Sequence, residues 1–344
     1  MTLTTDAIVK RDMPDNDSTK NRITVVVPNY NGMKFVKDCF DSLFSQDEDT
    51  ESFRVLMIDN GSQDESVEFV RTNYPLAEIV KMGENTGFCK AVNEGIKRSE
   101  TPYVILLNND TKVEPGFVKG LIKAIDKEKQ IFAASAMMKD WKDNSLLDDA
   151  GDRYSLLGWA FARGKGKRCK DYTKPCNIFA ACGGAAIYRK EIFDRIGLFD
   201  ENHFAYLEDI DVCYRAKING YKCVYAPEAG VIHFGSGTFG ARYTEKKVIL
   251  SASNNIYMAY KNMPLLQLII NLPFLFMGCL IKFLFFVKKG FGKSYLKGIK
   301  EGFKKAFSKE GREKKVRFKP GNLVNYIKIE AEMIAALFQI LKKN

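Results

Sequence analysis

The chain has 344 residues, 46% hydrophobic and 12% aromatic, with eight cysteines and a formal charge of +11. That is room for one large α/β domain with an appendage or for two modest domains, and the apolar content fits a globular protein with an ample core. The cysteines are scattered without a C-x-x-C pair, which excludes the common zinc patterns and reads as buried, reduced thiols. The charge is uneven. Residues Lys282 to Asn344 hold 17 Lys/Arg against 5 Asp/Glu, a net of +12, so the remaining chain is near neutral. A basic tail calls for an anionic partner, a membrane surface or a nucleic acid.

Met1 to Asn21 is polar and lacks an apolar core, so it is not a secretory signal and reads as a disordered leader. Ile23 to Val27 is a β-branched run before Pro28 and predicts a buried strand. The periodicity then predicts helices over Met33 to Phe44, Ser66 to Tyr74, Phe88 to Arg98 and Phe117 to Ile125. Strands are predicted over Phe53 to Ile58, Ala77 to Val80, Tyr103 to Leu107 and Ile131 to Met137. Strands alternating with helices of this size predict a mostly parallel sheet covered on both faces. Ligands of such sheets bind at the carboxyl ends of the strands. Pro28-Asn29-Tyr30, Asp59 and Asn108-Asn109-Asp110 all fall there.

Trp141 to Lys174 breaks the alternation and predicts a long functional loop or lid. A small-residue strand is expected over Ile178 to Tyr188, then a helix over Glu208 to Asn219 closed by Gly220. Two short strands follow, near Lys222 to Tyr225 and Gly230 to His233. The character of the chain changes after that. Asn262 to Ile281 contains no charged residue inside its apolar run, Lys282 interrupts it, and Phe283 to Val287 continues it. Gln267, Asn271, Pro273 and the lysine-rich flank favour a helix in the membrane interface, or a re-entrant hairpin, as much as a span. The expected division is a leader over 1–21, a catalytic domain over 22–255 and a membrane-associating helical region over 256–344.

The chemistry lies in two acidic signals. An isolated acid after a strand, Asp110, suits Mg²⁺ or Mn²⁺, hard cations that take oxygen ligands and bridge phosphates. His233, at a strand end before Gly235-Ser236-Gly237, is a further candidate ligand. Asn29, Tyr30 and Asn31 can contact a nucleotide donor after Pro28, and Asp59 can accept a hydrogen bond from a base N–H. Glu208, Asp209 and Asp211 with Arg215 put acids at a helix start, which suits a proton acceptor. Asp211 and Arg215 are four apart and can pair in a structural role.

As an ordered set these residues resemble the family 2 glycosyltransferases of the GT-A fold. The segments that carry the resemblance are Val25 to Gly32, Ile58 to Ser62, Glu84 to Phe88, Asn93 to Ile96, Leu107 to Asp110, Gly183 to Ala185 and Glu208 to Asp211 with Arg215. The resemblance implies inverting transfer from a nucleotide-diphosphate sugar. It implies that Asp59 reads the base, that Asp110 is the metal-binding end of an Asp-x-Asp signature, and that Asp209, beside Glu208, is the general base. Asn85 and Asn109 join the donor-binding set. Asn108 replaces the first acid of the signature, and Lys90 stands where relatives often carry a small residue, within reach of donor phosphate or ribose. Asp148 to Asp152, Gly158 and Arg163-Gly164 are similar to rhamnosyltransferase-like enzymes of bacterial surface polysaccharide synthesis. A dTDP-rhamnose donor, a polyprenyl-linked glycan acceptor and a place on the cytoplasmic face of the cell membrane are what this likeness leans to. Two other readings compete: a synthase that charges a polyprenyl phosphate with one sugar, and a basic-tailed nucleic-acid-binding protein. The tail lacks nucleic-acid-binding signatures, so no nucleic acid is expected.

Overall fold

The computed structural model describes residues 22–46, 53–235 and 243–341; the expected leader and Ser236-Gly237 lie outside the described residues. The first half alternates as its sequence predicts. It runs β1 (Ile23–Asn29), α1 (Met33–Phe44), β2 (Phe53–Asp59), α2 (Ser66–Asn73), β3 (Ala77–Lys81), α3 (Phe88–Arg98) and β4 (Tyr103–Leu107). Then come β5 (Thr111–Val113), α4 (Phe117–Ile125) and β6 (Ile131–Asp140). The middle holds short strands β7 (Leu147–Asp149), β8 (Asp152–Tyr154), β9 (Ala160–Ala162) and β10 (Cys176–Ile178), then β11 (Ala185–Arg189) and α5 (Lys190–Ile196). It closes with α6 (Glu208–Ile218) and β12 (Lys222–His233). Helices α7 (Glu245–Asn262), α8 (Leu265–Lys288), α9 (Gly292–Phe307), α10 (Lys309–Glu313) and α11 (Leu323–Leu341) complete the chain.

The main sheet has the order β10-β12-β6-β11-β4-β1-β2-β3. Strands β3, β2, β1 and β4 are parallel neighbours, so Asn29, Asp59 and the chain after Leu107 emerge at one end of the sheet. The sheet is mixed, because β11 enters antiparallel between β4 and β6. Alternating side chains of β1 go to opposite faces. Val26 joins a core with Val92, Ile96 and Tyr214, while Val25 and Val27 join one with Phe40, Leu43 and Leu121.

Four expectations change. The segment from Trp141 to Lys174 is no simple loop. It buries Leu147, Ala150, Tyr154 and Leu156 and forms the β8–β9 hairpin, because its apolar residues are spaced between glycine turns rather than in one run. The strand expected over Ile178 to Tyr188 is two strands in different parts of the sheet, with Phe179 to Gly184 crossing between them. The two strands expected after Lys222 are one, β12, whose register jumps between Ala226 and Gly230. Pro227 lacks an N–H for the ladder, so the break is a bulge rather than an end. Finally, Asn255, the expected domain boundary, falls inside α7.

Helix α7 belongs to the catalytic body. Lys261 Nζ lies 2.7 Å from Asp200 Oδ2 and 2.9 Å from Asp211 Oδ2, and Asn262 Nδ2 donates to Asp211 Oδ1 at 2.7 Å. Helix α9 packs along α7 through Gly298 and Gly302, where a Cβ would come within 2.6 Å of the α7 carbonyls of Ile249 and Ser253. Tyr326, Ile329 and Met333 of α11 join the central core. Helix α8 is the one described helix long and apolar enough to cross a membrane. It rests against the protein on one face: Gln267 and Asn271 donate to Glu330 at 2.7 and 3.0 Å. Its other face leaves Leu266, Ile269, Ile270, Leu272 and Phe276 more than half exposed.

Candidate active site

A cavity of about 590 Å³ opens at the carboxyl ends of β1 and β4. Its floor is Pro28, Asn29, Tyr30 and Asn108 to Asp110; its far wall is Gly183, Gly184, Glu208 and Asp209. Asp152 and Phe161 of the β8–β9 hairpin cover one side, and Lys247 of α7 and Lys282 of α8 reach it from the C-terminal helices.

The floor is held by amides. Asn109 Nδ2 donates to Asn29 Oδ1 at 2.7 Å, and Asn29 Nδ2 donates to Ser66 Oγ at 2.9 Å and Ser62 Oγ at 3.0 Å. Both asparagines are buried, so their side chains fix the β1 and β4 ends against each other. Gly32 lies where they meet: a Cβ there would come 2.1 Å from Asn109 Nδ2 and 2.2 Å from Asn29 Oδ1. Asp59 is 4% exposed and accepts from Ser62 N–H at 3.3 Å and Asn29 Nδ2 at 3.4 Å. It lies behind the cavity lining, and Asn60 is the residue of that strand end that faces in. Asn85 lines the cavity and accepts from Asn60 Nδ2 at 3.2 Å. Asn31 and Lys90 are exposed and outside the lining. Asn31 instead accepts from Gln63 N–H at 2.8 Å.

Asp110 and His233 meet beside this floor. His233 Nε2 is 3.7 Å from Asp110 Oδ1, and its Nδ1 is 2.8 Å from Asp148 Oδ2. β5 pairs with β12, so Thr111 sits opposite His233 and brings Asp110 to it. Burial disfavours the imidazolium, but the Asp148 hydrogen bond and the Asp110 charge outweigh it and raise the His233 pKa. Burial also opposes ionisation of Asp148, yet His233 and Lys165 hold its carboxyl down to about 2. A carboxylate on Nδ1 leaves Nε2 as the free ligand atom, the usual support of a metal-binding histidine. Asp110 with His233 therefore fits one divalent cation. Asp200, His203 and Asp211 also bring ligand-type atoms within 4.8 Å of one another. The Lys261 ammonium already bridges those two carboxylates, so that cluster is a salt-bridge network and not a metal site.

The acids of α6 differ in environment. Phe204, Tyr206 and Leu207 have φ of 61°, 72° and 66°, a left-handed turn that side chains other than glycine rarely adopt. Asn254 of α7 holds the turn: its Nδ2 lies 2.9 Å from the carbonyl oxygens of His203, Ala205 and Tyr206. The turn points Glu208 and Asp209 into the cavity. Burial raises Asp209 to about 6, opposed by the N–H groups of Ile210 and Gly183. Burial and the Asp209 charge raise Glu208 to about 8, and its buried Oε2 has no hydrogen-bond partner among the described residues. Glu208 is the more strongly raised of the two, and like charges side by side in a buried pair oppose joint ionisation. Asp211 faces away from the cavity and pairs with Arg215 at 3.0 Å.

Residues 24–197, half of the chain, match the family model of Glycosyl transferase family 2. The chain is a family 2 glycosyltransferase. The transferase is similar to N-acetylglucosaminyl-diphospho-decaprenol L-rhamnosyltransferase of Mycobacterium tuberculosis, with 27% identity over 212 residues, 54% of this chain and 68% of that protein. It is similar to rhamnosyltransferase WbbL of Escherichia coli K12, with 21% identity over 223 residues, 62% of this chain and 83% of that protein. Among solved structures, GalNAc-T7 with UDP, GalNAc and Mn²⁺ superposes with a TM-score of 0.58 and 16% identity, covering 71% of this chain and 48% of that one. The mannosyltransferase PcManGT from Pyrobaculum calidifontis, with GDP-Man and Mn²⁺, gives 0.50 and 17%, covering 93% and 87%. These likenesses show the GT-A fold.

Three residues at or behind the transferase cavity were given no site role by the sequence reading. Asp152, half-buried near Asp149, is pushed well above the usual carboxyl range by desolvation and then by the Asp149 charge. Its nearness to Asp209 depends on the hairpin returning to the sheet, which local pattern does not encode. Asn254 and Lys282 were likewise missed. They reach the site only through packing of the C-terminal helices, although Lys282 stands out in sequence as the charge inside an apolar run.

Proposed function

We propose that this transferase moves a sugar, with inversion, from a nucleotide-diphosphate donor to a hydroxyl of a polyprenyl-linked glycan. dTDP-rhamnose is the first donor to test, and the cytoplasmic face of the cell membrane is the place. The observation that carries the reading is one cavity with the Asn29–Asn109–Asp110 floor on one side and Asp209 on the other, reached by Lys282 of helix α8. The donor lies over the floor, where Pro28 to Tyr30 and Asn85 contact it. Asp110 and His233 would hold Mg²⁺ or Mn²⁺, which supplies positive charge to the leaving diphosphate. Asp209 accepts the proton of the acceptor hydroxyl as that oxygen attacks the anomeric carbon, and the sugar–phosphate bond breaks. Glu208, protonated beside it, adds no second negative charge to the site. The name of one relative, N-acetylglucosaminyl-diphospho-decaprenol L-rhamnosyltransferase, supports the lipid-linked acceptor, and the second, also a rhamnosyltransferase, supports the donor. The exposed face of α8 and the +12 charge from Lys282 onward support a peripheral seat on an anionic membrane.

The test is a transfer assay with full-length protein, Mn²⁺, a panel of nucleotide sugars and N-acetylglucosaminyl-diphospho-lipid acceptor. Rhamnosylated product from dTDP-rhamnose is expected. Product from another donor alone would discard rhamnose and keep the transferase. Product only with bare polyprenyl phosphate would discard glycan extension.

A further inference from the structure

Helix α8 carries Gln267, Asn271, Gly278 and Lys282 at spacings of four, seven and four residues. At 100° per residue these fall on one narrow face. Each of the first three is tied to the protein body. Gln267 and Asn271 bind Glu330. A Cβ on Gly278 would come 2.0 Å from the Leu157 carbonyl oxygen, so the helix touches the backbone of the β8–β9 turn there. Trp159 Nε1 donates to the Gly278 carbonyl at 3.2 Å and fixes the same crossing.

Lys282 is one turn further on. Its Nζ lies 5.7 Å from the centre of the Trp159 ring, and the residue lines the cavity that holds Asp209. No hydrogen bond or ion pair ties its ammonium to any described residue. Burial, with no carboxylate beside it, lowers its pKa to about 8. A partly buried cation without an anion is unfavourable and is relieved by a ligand that brings one. The opposite face of α8 is apolar and exposed. The ammonium therefore stands where an apolar surface meets the catalytic cavity, and a lipid diphosphate has its charge at that same junction.

We propose that Lys282 binds the diphosphate of the lipid-linked acceptor. This inference rests on the acceptor reading above. In it, the isoprenoid lies along the membrane beside α8, the diphosphate sits at Lys282, and the first sugar projects toward Asp209. Trp159 braces the lysine stem through its contact with α8.

Binding of farnesyl diphosphate, farnesol and UDP to full-length protein in neutral detergent tests it. Lys282→Met keeps the length and the apolar stem. It should weaken farnesyl diphosphate roughly 10–100-fold, the size of a lost charge-assisted hydrogen bond. Farnesol and UDP should change less than about twofold, and Lys282→Arg should hold farnesyl diphosphate binding, since it keeps the charge. Equal losses for farnesyl diphosphate and farnesol, a loss for UDP, or no loss at all would overturn the proposal. If the wild-type protein binds no farnesyl diphosphate, the acceptor reading itself falls, and the Lys282 proposal with it.

Discussion

Lys261→Met tests whether α7 and the helices after it are part of the catalytic domain. Lys261 is 4% exposed and bridges Asp200 and Asp211 at 2.7 and 2.9 Å. Methionine keeps the stem and removes the ammonium. Each acid retains one other cation, Lys314 at 2.9 Å on Asp200 and Arg215 at 3.0 Å on Asp211. Breaking a buried ion pair costs about 3–5 kcal/mol, and the retained cations place this case near the lower end. At an unfolding entropy of about 2.1 cal/mol/K per residue, a chain of 344 residues shifts by about 1.4 °C per kcal/mol, so the melting temperature should fall by roughly 4 °C at pH 7. The sign with pH follows from the acids. Burial opposes their ionisation, but Lys261 leads the groups that hold both carboxyls below the usual range. Their stabilisation is present above the unfolded pKa of about 4 and is lost as pH falls below it, so wild type and variant should converge in acid. Calorimetric melts at pH 7 and at acid pH measure this. A fall of less than about 2 °C at pH 7 would refute the reasoning.

Glu208→Gln mimics the protonated acid, so it should fold and should keep the acid limb of kcat/KM near the Asp209 value of about 6. Because burial raises the Glu208 pKa, its favourable term is present below the unfolded value and lost as pH rises through about 8. Melting curves should therefore show the variant more stable than wild type at alkaline pH and equal to it in acid. Asp148→Asn removes the carboxylate from His233 Nδ1 and should weaken Mn²⁺ binding roughly 10–100-fold, read by titration against donor-binding stability. The full-length protein should co-sediment with anionic vesicles and release as salt rises, and Ile270→Glu with Phe276→Glu should abolish the association; sedimentation unchanged by both substitutions would remove α8 from the membrane contact.

The parallel half of the sheet was legible because its strands are short β-branched runs between strong helical periods. Helices α1, α3 and α4 have the limits their periodicity predicts. The same order placed Asn29, Asn109 and Asp110 at strand ends, the acids at the α6 start supplied Asp209, and all four line one cavity. Asp59, Asn31 and Lys90 do not line it, because a strand end gives the side of the sheet but not the direction of each side chain. Asp59 turns to the Ser62 N–H instead. The Trp141 to Lys174 segment failed as a loop prediction because its strands are three residues each, too short for a periodic signal. Its acids Asp149, buried, and Asp152, half-buried, look in sequence like solvated charge. The boundary at Asn255 followed a change in composition, whereas the structural continuity is carried by single buried ion pairs and glycine contacts on α7. A chain truncated there loses Lys261 and Asn262 and with them two partners of Asp211.

Asp209→Asn in a single-turnover assay tests the central claim most directly. The variant keeps the shape of the side chain and removes the base. Turnover should fall by roughly 10²–10⁴-fold, the usual contribution of a general base, with donor binding unchanged. Turnover near that of wild type, with the donor bound equally well, would contradict the assignment of Asp209 as the group that takes the acceptor proton.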